Sequence, residues 1–422
     1  MHRRDRQGLI GVKSLLWRTM LALVSCVLVR GDMWRVMACA TASILAGCST
    51  NDCEVLRQVT APSSGTEPGT LQAGLLLSNS PYQMTSAAPL AVRSDGSVMC
   101  FICLGIVTLD ARLHEVDHID TNGPASIAVA PDDASYVVTP GQKQTLEREL
   151  VALSSAGKRR WTVPIANLNR LVAGTEGPYA EASVPASDGS AMLSATIFGF
   201  DAVTGSSRTL VTGQYLLGAA HGGVFTVDGK REPSVTLRHL DPTGNVVWSR
   251  AIASTMGTLR LGGAVVTPDG GAIVFGGTSG SLDFGDRTLP GVGQFIAGFD
   301  ASGATQWAFK LDTPTGFFGS PVIGAVALTS RGEILIASII DRALSTEWAF
   351  LSVATPAGIS RTLDFFAGRG AHMITGLAVA PDGAAWVQVE NGVLEEGDRP
   401  PEINIGDHTF TDEGTYLFKL MP

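Results

Sequence analysis

Cysteine is scarce, with six in 422 residues, so no dense disulfide framework holds this chain and an ordinary packed core must do so. Charge is thin as well. Only 16% of residues are Asp, Glu, Lys or Arg, too few for long solvated helices, and no segment sustains a 3.6-residue apolar period, which argues against helical solenoids. Long apolar runs are missing too. Residues 15–29, interrupted by Arg18, and residues 36–46 fall short of the roughly 20 uninterrupted apolar residues of a membrane-spanning helix, but each fits the ~7–15-residue core of a signal peptide. The sequence has no Ser-His-Asp elbow, phosphate-cradling glycine loop, zincin helix or EF-hand loop, so none of these signatures names a reaction.

What is abundant is punctuation. Gly at 49 and Pro at 21 describe many turns between short apolar strands, an all-β composition. Length alone leaves one large domain or two smaller ones open.

Two markers recur along the chain. The first is an apolar strand, an Asp-Gly type turn and a second apolar strand. It is clearest at Pro268-Asp269-Gly270 and Pro381-Asp382-Gly383, with weaker copies at Asp95-Gly96, Pro131-Asp132-Asp133, Asp188-Gly189 and Ser330-Arg331-Gly332. Asp and Gly tolerate the dihedrals such hairpin turns require. The second marker is a strand, a turn ending in Gly, and a Trp four residues on: Gly157 to Trp161, Gly244 to Trp248 and Gly303 to Trp307, with copies lacking Trp at Gly205 and Gly358. One marker of each kind gives four strands in roughly 40–60 residues, the size of a propeller blade. Units starting near residues 81, 123, 167, 213, 256, 313 and 367 give seven blades, within a range of six to eight. The fourth is least defined, because Gly222 to Gly229 must stand for its hairpin. Residues 403–420 repeat 282–299 at a constant offset of 121, and the chain then stops at Pro422. The last blade is thus one strand short. Residues 71–78, apolar and without a repeat partner, are expected to fill the gap and close a single propeller over 71–422.

The beginning of the chain points to export. Leu45-Ala46-Gly47-Cys48 resembles the lipobox of bacterial lipoproteins, and the resemblance implies cleavage before Cys48 and lipid attachment to its thiol. At ~0.8 kcal/mol per buried CH₂, more than one acyl chain gives stable anchoring. Residues 1–47 are read as the signal region; Met33-Trp34-Arg35 forms a compact start to the second apolar stretch, and if Met33 is the initiator, residues 1–32 are a start-site artefact. Ser49 resembles the sorting residue of outer-membrane lipoproteins, and residues 48–70 read as lipidated terminus and flexible spacer. Of the 30 basic and 39 acidic residues, 1–47 hold seven and two, so the mature chain carries a net charge of −14. Nucleic acid and anionic lipid heads are poor partners for it.

The Asp, Thr-Gly and Trp pattern resembles the quinoprotein-type propeller repeat, shared by quinone-dependent dehydrogenases and by a non-enzymatic outer-membrane assembly lipoprotein. Unit five is more specific. Its run Leu282-Asp283-Phe284-Gly285-Asp286 through Phe299-Asp300-Ala301-Ser302-Gly303 to Trp307 is similar to the propeller repeat of secreted and lipid-anchored proteins in myxobacteria and related Gram-negatives, a family without an established activity.

Several residues have the right chemistry for a site, and each also has a structural reading. His114 and His118 share a strand face, but they fall in a blade's outer strand or loop, where surface placement is favoured over a metal site. Cys100 and Cys103 have redox-motif spacing, yet they follow a hairpin and point to opposite faces of a strand, so they read as buried small hydrophobes. A disulfide from Cys53 to one of them is the alternative. Asp283, Asp286 and Asp407 lie in Gly-rich loops, where Asp caps its own turn more often than it binds calcium. Trp161, Trp248 and Trp307 recur at one blade position, which favours packing between blades over a ligand surface. Only Cys48 is assigned as a site, for lipid; no catalytic, cofactor or metal residues are.

The expected function is a lipid-anchored, monomeric envelope protein, at the outer membrane rather than the inner. Its non-catalytic propeller binds an envelope protein or polysaccharide. The alternatives are a quinone-dependent or lactonase-type propeller enzyme, which needs convergent polar residues from several blades, and an outer-membrane assembly factor.

Overall fold

The computed structural model describes residues 57–60, 71–78, 90–102, 105–120, 126–140, 147–185, 193–311, 321–340, 348–366, 371–392, 402–405 and 408–421. All belong to one compact unit, 55–422. Every regular element among them is a β-strand, and apart from one two-stranded ribbon the strands pair into seven small antiparallel sheets, the blades of a seven-bladed propeller.

Blade 1 comprises Leu90–Val92, Val98–Ile102, Gly105–Leu109 and Glu115–Asp120, and blade 2 comprises Ser126–Val129, Ser135–Pro140, Glu147–Leu153 and Arg159–Ala166. Blade 3 runs through Leu168–Gly174, Gly177–Pro185, Leu193–Phe200 and Ser207–Thr212. Blade 4 holds Tyr215–Ala220, Gly223–Val227, Ser234–Leu240 and Val246–Ser254, which resolves the least defined repeat into an ordinary blade. Blade 5 is Leu259–Val266, Ala272–Thr278, Gly293–Phe299 and Thr305–Lys310; blade 6 is Pro321–Leu328, Ile334–Ile340, Trp348–Thr355 and Gly358–Phe366. Each blade opens within about ten residues of the start its repeat assigned.

The clear copies of both repeat markers are the same five-residue turn; Gly205 instead closes a six-residue turn, and Asp188-Gly189 lies outside the described residues, between the second and third strands of blade 3 and not in its first hairpin. In Thr267–Gly271 the first N–H donates to the fifth carbonyl at 3.0 Å and the fourth N–H to the first carbonyl at 2.9 Å, and 300–304 repeats this at 3.0 and 2.9 Å. The fourth residue needs positive φ, +85° at Gly270 and +82° at Gly303, where glycine carries no Cβ penalty. Leu113 and Asp133 take this position with φ of 67° and 63°, which is why their turns were hard to see in the sequence. An Asp in first place locks the turn: the Asp300 carboxylate accepts from the N–H groups of Ser302 and Ala304 at 2.9 and 3.0 Å.

The ring closes as the sequence requires. Blade 7 takes three strands from the C-terminal end, Ala371–Val379, Ala385–Gly392 and Gly414–Leu420, and its fourth from Leu71–Ser78. Leu71 pairs with Leu420, Leu75 with Leu417 and Ser78 with Thr415. Leu71, Ala73, Leu75 and Leu77 are buried. Arg57–Thr60, inside the stretch read as spacer, adds a fifth strand outside Leu71–Ser78.

The repeat between 282–299 and 403–420 also has a structural meaning. Leu282–Asp283 and Thr288–Leu289 form a small hairpin that leaves blade 5 and pairs with the outer strand of blade 4, Ala253 opposite Asp283 and Ser254 opposite Leu282. Its blade 7 counterpart, Ile403–Ile405 with His408–Phe410, is a separate two-stranded ribbon. Ile403, Ile405 and Phe410 are buried in one cluster with Leu351 and Val353 of blade 6 and Tyr416 and Phe418 of blade 7. Each hairpin thus seals a seam between its own blade and the preceding one.

Candidate functional site

The turns at 267–271 and 300–304 lie at one end of the blades, so the connections from second to third strand, and from each blade to the next, lie at the other end. There, residues 228–233 of blade 4 meet the entry to blade 5: Leu259 N–H donates to the Glu232 carbonyl at 2.8 Å, and Ser254 N–H to the Pro233 carbonyl at 2.7 Å.

Three adjoining cavities run inward from this meeting point. The outer mouth, about 450 Å³, is lined by Tyr215, Asp228, Gly229, Lys230, Arg231, Glu232 and Arg260. A throat of about 170 Å³ shares Tyr215, Lys230 and Arg260 with the mouth and adds Asn169, Arg170 and Glu181 among others. Through Asn169, Arg170, Leu217 and Gly262 the throat adjoins the central cavity of about 490 Å³, lined by innermost strands of blades 1 to 6 and by Phe275 of the second strand of blade 5. Among the described residues lining that central cavity, Ser126, Asn169 and Arg170 are polar and the others are apolar or glycine.

The polar groups at the base of the throat hold neighbouring blades together. The innermost strands of blades 4 and 5 each carry a register shift, at 216/218 and 261/263, and such bulges free backbone groups from the ladder. Arg170 of blade 3 takes up three freed carbonyls, donating from Nη1 to Leu216 and Leu217 at 3.0 Å each and from Nη2 to Gly262 at 2.9 Å. Burial draws the Arg170 pKa below its ordinary value, Glu181 opposes that shift, and the Arg260 guanidinium adds to it. The carboxylate of Glu181, a 3% exposed residue, accepts from Leu216 N–H at 2.8 Å and Asn169 Nδ2 at 3.2 Å, and lies 3.6 Å from Lys230 Nζ.

The rim is different. Lys230 Nζ sits 4.1 Å above the Tyr215 ring, a cation–π contact, and its side chain remains 60% exposed. Asp228 is committed to Thr236 N–H at 2.6 Å and Arg238 at 3.2 Å. Among the described residues, Arg231 and Arg260 have no carboxylate partner. The sequence reading missed this group because its members come from the innermost strands of blades 3 and 5 and a loop of blade 4; the adjacent Lys230-Arg231 in the weakest repeat was the one visible signal.

The residues singled out from sequence lie elsewhere. Cys48, Cys53, Cys103 and Asp407 fall outside the described residues. Cys100 is fully buried and free in the second strand of blade 1, and burial pushes its thiol up to about 12. His114 lies in a turn, 73% exposed and 3.5 Å from Asp110, while His118 lies on the outer strand of blade 1, 3.6 Å from Glu115. Asp283 caps its own turn through Gly285 N–H at 2.8 Å. Asp286 does not: it pairs with Arg250 of blade 4 at 2.8 Å and accepts from Thr305 N–H at 3.2 Å, clasping two blades. Trp161 and Trp248 are buried between blades, stacked on Phe200 and Phe299 of the following blade. A Cβ at Gly205 or Gly303 in that blade's turn would lie 2.7 Å from the indole. Trp307 is half-buried, stacked on Phe309 of its own strand.

No family model matches the chain, and no curated protein does. Among solved structures it is similar to a chain of a mitotic checkpoint complex, with 11% identity over 86% of this chain and 98% of that one and a TM-score of 0.48. The WD40 domain of Pan2 from Neurospora crassa shares 12% identity over 81% and 91% of the two chains, TM-score 0.45. BamB from Moraxella catarrhalis shares 13% over 83% and 97%, TM-score 0.39. The propeller assignment rests on the strand pairing, not on these likenesses.

Proposed function

We propose that this chain is a lipoprotein anchored through Cys48 in the cell envelope, at the outer membrane, and that its propeller is a non-catalytic binding module. One observation carries the binding reading. Beneath the mouth, Glu181 and Arg170 are committed to holding blades 3, 4 and 5 together, while at the rim Arg231 and Arg260 have no carboxylate partner among the described residues and Lys230, beside Glu181 and Tyr215, stays 60% exposed to a ligand. Committed groups below and available cations above suit recognition rather than proton transfer, which needs an acid or base free to exchange its proton within reach of a substrate. Cys48 and the lipobox ahead of it support the anchoring, and the family resemblance of unit five agrees with it. The partner is an envelope protein or polysaccharide met at the face bearing the mouth.

The test is capture of envelope material by the full chain purified from its own membranes. Wild-type protein should retain a defined component, and Leu193→Glu together with Met256→Glu, which add charge at exposed positions on the same face, should reduce retention without changing the fold. A wild-type chain that retains nothing above a surface-coated control contradicts the reading.

A further inference from the structure

We infer that the throat between blades 3, 4 and 5 is an oxyanion site, receiving a carboxylate or phosphate group carried by the ligand; the inference rests on the reading of the propeller as a binding module. The charge balance of the throat carries it. Its lining holds three cations, Arg170, Lys230 and Arg260, against one carboxylate, Glu181, in a chain whose overall charge is −9. Positive charge concentrated in a concave site of an acidic protein is a local reversal of field, and low-dielectric walls strengthen it.

The two carboxylates of the mouth leave that excess in place: Asp228 is paired with Arg238, and Glu232 makes no ion pair with Lys230 or Arg260 among the described residues. Glu181 is the shared acceptor for Leu216 N–H and Asn169 and the neighbour of Lys230, so it does not serve Arg260. Arg170 faces backbone carbonyls, which neutralise part of its charge but supply no anion. Arg260 lines the same throat, so two guanidinium groups of like charge share one cavity and repel. An oxyanion between Arg260 and Lys230 would relieve the repulsion and accept charge-assisted hydrogen bonds from both. Access is open, because Lys230 and Arg260 line the mouth as well as the throat. Tyr215, in both linings, gives the body of the ligand an aromatic edge beside the charged group.

Calorimetric titration of the full chain at low salt with inorganic phosphate and, separately, with galacturonate tests this. At least one probe should bind, and the better one identifies phosphate or carboxylate as the group. Arg260→Ala and Lys230→Ala should each weaken binding about tenfold or more, the size expected for losing one charged hydrogen bond, and added salt should weaken it further. Lys230→Arg should retain binding, and Arg331→Ala, an exposed cation at the opposite end of the blades, should change nothing. Unchanged melting of each variant certifies the fold. If neither probe binds, or Arg260→Ala binds as wild type does, the inference is overturned while the capture experiment still stands for the binding module. Conversely, probe binding with the stated variant dependence in a chain that captures no envelope material would retain the oxyanion site and refute the binding-module reading.

Discussion

Replacing Trp248 with alanine should destabilise the propeller by about 3–5 kcal/mol, the range for truncating a buried aromatic. Trp248 is 8% exposed, stacked on Phe299 at 6.4 Å and in contact with Phe225 and His239 at 5.9 and 6.0 Å. Burying ~200 Å² of aromatic surface at ~25 cal/mol per Å² gives about 5 kcal/mol, consistent with that range. Half-buried Trp307 should cost roughly half as much. The indole N–H groups sharpen the comparison. Trp161 Nε1 donates to the Ala202 carbonyl of the next blade at 3.0 Å, whereas Trp248 Nε1 is buried without a partner. Trp161→Phe therefore loses a hydrogen bond worth about 0.5–1.5 kcal/mol, while Trp248→Phe removes an unpaired donor whose burial costs about 1–3 kcal/mol. The Phe variant should be better tolerated at 248 than at 161. Urea unfolding followed by circular dichroism reads both effects as midpoint shifts at constant slope. Equal losses from Trp248→Ala and Trp307→Ala, or a Trp161→Phe variant more stable than Trp248→Phe, would refute this account of the blade seams.

His239 is 6% exposed between Phe225 and Trp248, with neither ring nitrogen partnered. Burial pulls its pKa below the ordinary 6.5, with Asp241 opposing, so its unfolded form binds the proton more readily. Its contribution to stability is full above about 6.5 and is lost as pH falls below that value; melting across pH 8 to 5 should show a decline that His239→Leu flattens. Leu77, fully buried in the closing strand, should cost about 2–5 kcal/mol when truncated to alanine, by the same urea assay. A loss under 1 kcal/mol would mean the closing strand is dispensable. Cys100, with its thiol raised to about 12 by burial, should resist thiol reagents in native protein and react on unfolding; rapid labelling of the folded chain would contradict its placement.

The architecture was legible because its turns are chemical. Gly at the fourth position, with Asp at the third as in Asp269 and Asp382 or at the first as in Asp241 and Asp300, is what one five-residue turn selects, so repeated turns spelled out repeated blades. Where Leu113 and Asp133 replaced the glycine, the repeat blurred although the turn persisted. The closing strand was readable from the 121-residue offset taken together with the apolar, unrepeated stretch 71–78. The offset could not reveal that the Asp283 hairpin pairs with blade 4, because nothing local distinguishes a loop folded over its own blade from one reaching the preceding one. The throat was hidden for a similar reason. Arg170, Lys230 and Arg260 are separated by 60 and 30 positions and meet only when three blades are set side by side. Asp286 read as a turn cap; its bond to Arg250 depends on the same inter-blade geometry.

Lipid attachment at Cys48 is the hinge of the functional account, and metabolic labelling with an alkyne-bearing fatty acid tests it most directly. Wild-type chain should carry the label on a terminal peptide beginning at Cys48 and sediment with membranes, while Cys48→Ala should carry none and should accumulate unprocessed or leave the lipid fraction. A Cys48→Ala chain that is cleaved normally and still partitions with membranes would contradict the account.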